Sequence, residues 1–67
     1  MDIYDIRFSD KKGSTDKGFN IRDKEKAIRM AQDILDGRKG LANEFVGGTI
    51  AVYCKNTGTI IWQQPIQ

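Results

Sequence analysis

Hydrophobic and polar residues alternate along positions 3–9 of the chain. One side of this segment carries Tyr4, Ile6 and Phe8, and the other carries Ile3, Asp5, Arg7 and Ser9. A period of two with aromatic and branched residues is typical of a half-buried β-strand. Residues 10–18, rich in Asp, Lys, Gly and Ser, predict an exposed loop. Alternation resumes at Phe19 and Ile21, which predicts a short second strand over residues 18–22.

The next segment has the pattern of an amphipathic helix. Asp23 is suited to the N-cap, because its carboxylate can accept hydrogen bonds from the free amides of the first turn. The apolar residues that follow at helical spacing are Ala27, Ile28, Ala31, Ile34 and Leu35. Gly37 fits the left-handed position that ends a helix, and Arg38 and Lys39 suit its negative end.

The last third of the chain predicts a loop and a hairpin. Residues 38–48 read as a loop because of their glycines. The apolar loop residues expected to close one end of the core are Leu41, Phe45 and Val46. Strands are predicted over residues 49–55 and 59–64, joined by a tight turn in which Gly58 takes a positive φ. Pro65 offers no amide to a sheet and marks the end of pairing or an edge.

These elements follow the order β-β-α-β-β and predict an α+β fold. We expect one domain over residues 1–67, with a single four-stranded antiparallel sheet and one helix packed on one face. A right-handed crossover from the second strand to the third favours the strand order 2-1-3-4. One helix covers only one side of such a sheet, so the other side faces water or a partner.

The uncovered side of the sheet is the first candidate for a binding surface. Alternation assigns to it Ile3, Asp5, Arg7, Arg22, Ala51, Tyr53, Ile61 and Gln63. We expect a partner to contact Ile3, Arg7, Arg22, Tyr53 and Ile61. Large apolar residues with arginine favour a protein interface, including a homodimer. The alternative is an ordinary strand surface without a ligand, since exposed apolar residues are common.

The facing of Trp62 depends on the register of the last strand. Simple alternation places Ile60 and Trp62 toward the helix and Ile61 toward the open side. A one-residue bulge near Gly58 would turn Trp62 outward and add an aromatic residue to the open side.

Composition limits the chemistry. The 67 residues contain no histidine and one cysteine, and no motif brings polar side chains together. We therefore expect no enzyme activity, no cofactor and no metal site, and we expect Cys54 to be a small core residue. The net charge of +2 is modest for a nucleic-acid-binding protein. Nucleic acid remains an alternative partner, bound by the open side together with Lys11, Lys12 and Lys17.

The chain carries no sign of export or membrane insertion. Its amino end is acidic where a signal peptide needs basic residues, and its longest apolar run is residues 60–62. A membrane span needs roughly 20 apolar residues. We expect a cytoplasmic protein that does not associate with membranes.

Two segments carry a resemblance to known domains: residues 23–31, DKEKAIRMA, and the hairpin TIAVY followed by NTGTIIW over residues 49–62. They resemble a class of small, mostly uncharacterised β-β-α-β-β domains of bacteria, phages and mobile elements. In size and topology the chain is also similar to some phage-encoded inhibitors of host defence, including certain anti-CRISPR proteins. That similarity implies action by occupying a partner's surface. A third possibility is strand addition at the edges formed by strands 2 and 4.

Overall fold

The alternating segments form strands and the amphipathic segment forms a helix in the computed structural model, which describes residues 2–38 and 40–67. Within these residues the elements are β1 (Tyr4–Asp10), β2 (Gly13–Asp16), α1 (Lys24–Gly37), α2 (Leu41–Glu44), β3 (Thr49–Cys54) and β4 (Ile60–Pro65). The strands of this described part form one four-stranded antiparallel sheet in the order β2-β1-β3-β4. The predicted α+β class and strand order are confirmed.

Helix α1 packs across the two central strands and closes the core. The core residues contributed by β1 and β3 are Ile6, Phe8, Ile50 and Val52, and those contributed by the helices are Ala27, Ala31 and Ala42. Ala27 and Ala31 are fully buried, so α1 lies close to the sheet. Ile21 and Ile66 complete this cluster.

The start of α1 is as predicted. The Asp23 carboxylate accepts hydrogen bonds from the amides of Glu25, at 3.0 Å, and Lys26, at 3.3 Å. These are two of the amides that a helix leaves without internal partners, and such caps stabilise a helix by about 1 kcal/mol.

The end of α1 differs from the prediction. Gly37 is the last helical residue, and the left-handed conformation falls on Arg38, with φ 47° and ψ 48°. The Arg38 amide donates to the carbonyls of Ile34 and Leu35, which otherwise lack partners at a helix end. Both of these side chains pack against the core, and the helix ends one residue later than expected. Lys39, predicted to complement the helix end, lies outside the described residues.

The β1–β2 hairpin also differs from the prediction. The second strand was expected over residues 18–22, but β2 occupies residues 13–16 and pairs with the end of β1. The Asp10 carboxylate accepts from the amides of Lys12, at 2.8 Å, and Gly13, at 3.2 Å. This turn reverses the chain immediately. From the predicted strand, only Ile21 forms a bridge, with Tyr4.

The predicted loop of residues 38–48 contains the short helix α2. Leu41 and Phe45 pack against the core as expected, and the Phe45 ring lies 5.9 Å from that of Phe8. Val46 was expected to join them, but it is 55% exposed. After this loop Gly48 approaches β1 so closely that a Cβ atom would lie 2.1 Å from the Ser9 carbonyl oxygen. Only glycine fits there.

The β3–β4 hairpin contains a bulge that changes the predicted facing. Gly58 has φ 73° in the turn, as expected. Val52 pairs with Trp62, but Tyr53 pairs with Ile60, so Ile61 is an extra residue. Ile61 and Trp62 both pack against the core, whereas Ile60 is 46% exposed. The assignments of Ile60 inward and Ile61 outward are therefore wrong, and the bulge does not turn Trp62 outward.

We predict that the protein becomes more stable when the glycine at the end of α1 is moved from position 37 to position 38, where the backbone is left-handed. In Gly37→Ala, alanine gains about 1 kcal/mol over glycine inside a helix. In Arg38→Gly, glycine removes a left-handed strain of about 1–2 kcal/mol. The free energy of unfolding in urea should rise for both single variants and most for the double variant.

The matched control is Arg38→Ala, which deletes the same side chain but keeps a Cβ atom at the strained position. Its stability should stay close to that of the original chain. An equal gain in Arg38→Ala and Arg38→Gly would show that the backbone conformation is not the cause.

Candidate interaction surface on the open sheet face

The side of the sheet that faces away from α1, called the open face below, is defined by the strand register. Residues paired across the strands share a face, and Ile6, Phe8, Ile50 and Val52 define the opposite, buried face. The strand residues of the open face are Asp5, Arg7, Ser9, Ser14, Asp16, Thr49, Ala51, Tyr53, Ile60, Gln63 and Pro65. Ile3 precedes β1 and continues its alternation on the same side.

Asp5 lies at one side of this face and is only 1% exposed. Arg7 pairs with Asp16, and Tyr4 pairs with Ile21. Between these pairs β1 has two residues, whereas the returning chain has four, residues 17–20. The returning chain therefore has two extra residues. The Asp5 carboxylate fills the resulting gap. It accepts hydrogen bonds from the amides of Gly18, at 3.1 Å, and Phe19, at 2.8 Å.

The same carboxylate has further polar neighbours. It accepts from the Ile6 amide at 2.7 Å, and the Tyr53 hydroxyl lies 3.3 Å away. The Lys55 ammonium lies 3.9 Å from it and also donates to the Asn20 side-chain carbonyl at 2.8 Å. Asp5 thereby joins three segments: β1, β3 and the chain that follows β2.

Tyr53 extends this arrangement across the sheet. Its hydroxyl donates to the Asp16 carboxylate at 2.8 Å, and Asp16 accepts a second hydrogen bond from the Arg7 guanidinium at 3.0 Å. The Arg7 guanidinium also lies over the Tyr53 ring, 4.3 Å from its centroid. A cation at this distance is attracted by the ring's negative face. Arg7, Tyr53 and Asp16 therefore hold one another in place.

The pKa directions in this cluster follow from its contacts. Burial, helped by the hydrogen bond to Asp16 and the nearby carboxylate charges, raises the pKa of Tyr53 to about 12. Burial acts to raise the pKa of Asp16, but the hydrogen bonds from Tyr53 and Arg7 outweigh it and the pKa falls below its ordinary value. The hydrogen bond to Asp16 is the largest cause of a raised pKa at Arg7. The cluster therefore favours neutral Tyr53, anionic Asp16 and cationic Arg7.

The structure does not bring the five predicted contact residues together as an exposed surface. Ile3 is half-buried on the open side, and the Arg7 side chain is 37% exposed. Tyr53 is only 7% exposed beneath Arg7, and Ile61 packs into the core. Arg22 is exposed but lies off the sheet, in a shallow groove at the start of α1.

Sequence reasoning missed three residues of this surface. Ile60 was missed because a bulge near Gly58 was expected to turn Trp62 outward, whereas the bulge places Ile60 on the open face. Asp16 lies in the segment predicted as a loop, and Lys55 lies at the end of the predicted strand over residues 49–55. Neither pattern indicates that Asp16 pairs with Arg7 or that Lys55 lies beside Asp5. The alternation of β1 placed Asp5 on the open side, and a carboxylate inside an apolar strand pattern was the available signal that it has buried partners.

The lysines of the nucleic-acid alternative lie apart. Lys11 and Lys12 form the turn between β1 and β2, whereas Lys17 follows the other end of β2. The four residues of β2 lie between Lys12 and Lys17, so their Cα atoms are about 16 Å apart at the usual rise of a strand. The Lys17 ammonium lies 5.9 Å from the centre of the Phe19 ring, a ring that packs against the core.

Comparisons with models of protein families, with curated proteins and with solved structures give no match for this chain. None of the helices formed by residues 2–38 and 40–67 is long and apolar enough to cross a membrane. In the same part of the chain, no three His, Cys, Asp or Glu side chains lie close enough together to hold a metal ion. Cys54 is buried, as expected of a small core residue.

We predict that Asp5→Asn destabilises the protein by about 2–3 kcal/mol, because hydrogen bonds to a charged group are each worth about 1.5–3 kcal/mol. The asparagine side chain keeps one acceptor oxygen, and its amide group would face donors. The free energy of unfolding in urea measures the loss, and hydrogen exchange at the Gly18 and Phe19 amides should quicken.

Asp10→Asn is the matched control for this substitution. Asp10 also accepts two backbone hydrogen bonds, but through one oxygen and in an exposed turn. An asparagine can keep both bonds, so a change within about 0.5 kcal/mol is expected. Equal losses in the two variants would contradict the role assigned to Asp5.

We predict that Tyr53 titrates at a pH of about 12 in the folded protein. A raised pKa means that the contribution to stability is complete below the unfolded value of 10.0 and is lost as the pH rises through about 12. Ultraviolet absorbance of the phenolate measures the titration in a Tyr4→Phe variant, where Tyr53 is the remaining tyrosine. Adding Asp16→Asn should lower the Tyr53 pKa; an unchanged midpoint would contradict the assigned hydrogen bond.

Proposed function

We propose that this chain is a cytoplasmic, non-enzymatic module that binds a protein through the open face of its sheet. The main supporting observation is that the Arg7 side chain is partly exposed and is nevertheless held in one position by Tyr53 and Asp16. On the same face but two strands away, on β4, Ile60 is one of two exposed large hydrophobic residues among those the structure describes.

Arg7 is suited to a contact because it is already ordered. A free arginine side chain loses rotamer entropy of up to about 2 kcal/mol when a partner immobilises it. Here the stacking on Tyr53 and the hydrogen bond to Asp16 impose this order before binding. Arginine is enriched among residues that dominate binding energies. The ordering therefore lowers the cost of association.

Ile60 and Ile3 supply the apolar part of the proposed contact. Burying the exposed part of Ile60 would stabilise a complex by roughly 1 kcal/mol at the usual area coefficient. Tyr53 has a different role from the one first expected: it supports Arg7 from below and does not itself meet the partner. Ile61 and Arg22 take no part in this revised contact.

The polar cluster is better suited to holding the surface than to catalysis. The Asp5 and Asp16 carboxylates accept hydrogen bonds from backbone amides, Tyr53 and Arg7. Among the described residues, every buried side-chain nitrogen or oxygen atom has a hydrogen-bond partner. A general base needs an accessible acceptor near its substrate; the Asp5 carboxylate is buried, and both oxygens of Asp16 already accept hydrogen bonds from Arg7 and Tyr53.

Charge favours a protein partner over a nucleic acid. Asp5 and Asp16 balance Arg7 and Lys55 on or beside the open face, so this face lacks the basic excess that phosphates require. The separation of Lys11 and Lys12 from Lys17 weakens the alternative further. Inhibition of a host system by a phage-encoded protein is one specific form of protein binding. The first step in testing it is to identify the bound protein.

We predict that Ile60→Asp removes the partner captured by the immobilised protein from lysate of its native host. The side chain is 46% exposed, so the fold should tolerate the change while an apolar contact would not. Quantitative mass spectrometry of captured proteins measures the effect, and a loss of about tenfold corresponds to ~1.4 kcal/mol.

Val46→Asp is the matched control. Val46 is similarly exposed, at 55%, and lies beside the β1–β2 turn. A partner retained by Val46→Asp and lost by Ile60→Asp supports the proposal. A partner retained by both variants overturns the open-face assignment. Capture that disappears after nuclease treatment and falls steeply with salt would instead favour nucleic acid.

A further inference from the structure

The two edge strands of the sheet are β2 and β4. They differ in the backbone amide and carbonyl groups that they leave unpaired. In antiparallel sheets, alternate residues direct their amide and carbonyl groups to one neighbouring strand, and the others direct theirs away. The Ile66 amide donates to the Gly48 carbonyl, so the residues of β4 that point toward β3 are Gln64 and Trp62. Gln63 and Pro65 consequently point toward the free edge.

Pro65 blocks part of the β4 edge. A proline has no amide hydrogen, so the outward position at Pro65 offers an acceptor without a donor. Natural edge strands use proline in this way to prevent pairing with other chains. The bulge at Ile61 interrupts the other end of this edge. A strand added to β4 would therefore find few consecutive partners.

Within residues 13–16 the β2 edge has neither a proline nor a bulge. The Lys17 amide donates to the Ile6 carbonyl, so Thr15 and Gly13 also point toward β1. Ser14 and Asp16 then direct their amide and carbonyl groups outward. All four residues of β2 are exposed, and β2 contains no proline. Alternation would direct the Gly18 amide outward next, but this amide turns back toward β1 and donates to Asp5, which limits the free edge to Ser14 and Asp16.

We propose that this edge pairs with β2 of a second copy of the chain, antiparallel and with the two-fold axis at Thr15. Ser14 of each copy would then face Asp16 of the other. In each such pair, the amide of one residue would donate to the carbonyl of the other, which gives two hydrogen bonds. The dimer contains this pair twice. Pairing joins two four-stranded sheets into one, with both open faces on the same side.

The arrangement of charges favours a second copy as the occupant. In this register Thr15 faces Thr15, Asp16 faces Ser14 and Lys17 faces Gly13, so no like charges lie directly opposite each other. The Asp16 carboxylate is already paired with Arg7 of its own chain. Pairing at β2 uses backbone groups in the plane of the sheet and leaves Arg7 and Ile60 free. The inference is therefore independent of the proposed open-face contact.

The test compares proline substitutions on the two edges. Ser14→Pro removes one outward amide and no bond to β1, and Gln63→Pro makes the same change on β4. Sedimentation equilibrium of the purified chain up to millimolar concentration should show a monomer–dimer equilibrium. We expect Ser14→Pro to weaken the dimer by about tenfold or more, since two of its four hydrogen bonds are lost, and Gln63→Pro to leave it unchanged.

Hydrogen exchange of the unaltered chain provides a measurement that does not depend on a variant folding. The Ser14 and Asp16 amides should become protected as the protein concentration rises, while the Gln63 amide stays unprotected. A monomer at every concentration overturns the inference. Concentration-independent exchange at Ser14 and Asp16, or a dimer lost in Gln63→Pro, overturns it equally.

Discussion

The Asp5 carboxylate is the interaction on which the arrangement of the first half of the chain depends. After β2 the chain must return along β1 with two extra residues, and their amides point into a gap that has no backbone partner. A buried carboxylate meets both amides at once, and these bonds offset the cost of removing its charge from water. With the gap filled, Phe19 packs against the core and Ile21 joins it, just before the chain enters α1.

The open face is built outward from the same group. Asp5 adjoins the Tyr53 hydroxyl, Tyr53 donates to Asp16, and Asp16 holds Arg7 over the tyrosine ring. A surface that simple alternation describes as an exposed tyrosine between arginines is therefore a buried tyrosine under one ordered arginine. This distinction changes the proposed mechanism of binding, because the contact centre moves from Tyr53 to Arg7 and Ile60. It also gives the surface a fixed shape before any partner arrives.

Prediction from the sequence succeeded where the cause is local. The cap at Asp23, the apolar stripe of α1 and the positive φ at Gly58 each depend on residues close together in the chain. The strand order followed from two predicted hairpins and the handedness of crossovers, although the second strand was placed at residues 18–22 and lies at residues 13–16. Prediction failed for β2, where the turn at Asp10 reversed the chain sooner than the apolar pattern at Phe19 indicated. A polar hairpin strand at an edge has no apolar period to reveal it.

The sequence by itself determined the class of fold, the strand order and the core residues of β1, β3 and α1, since these follow from the period and turn chemistry of neighbouring residues. Tertiary structure alone decided which side chains reach the open face. Ile61 is an extra residue in β4. Because of it, the strand residue before the bulge points to the opposite face from the one that simple alternation predicts. Likewise, the burial of Asp5 depends on amides that lie 13 and 14 positions later in the chain. Such long-range register is set by packing across strands, and for that reason local patterns do not contain it.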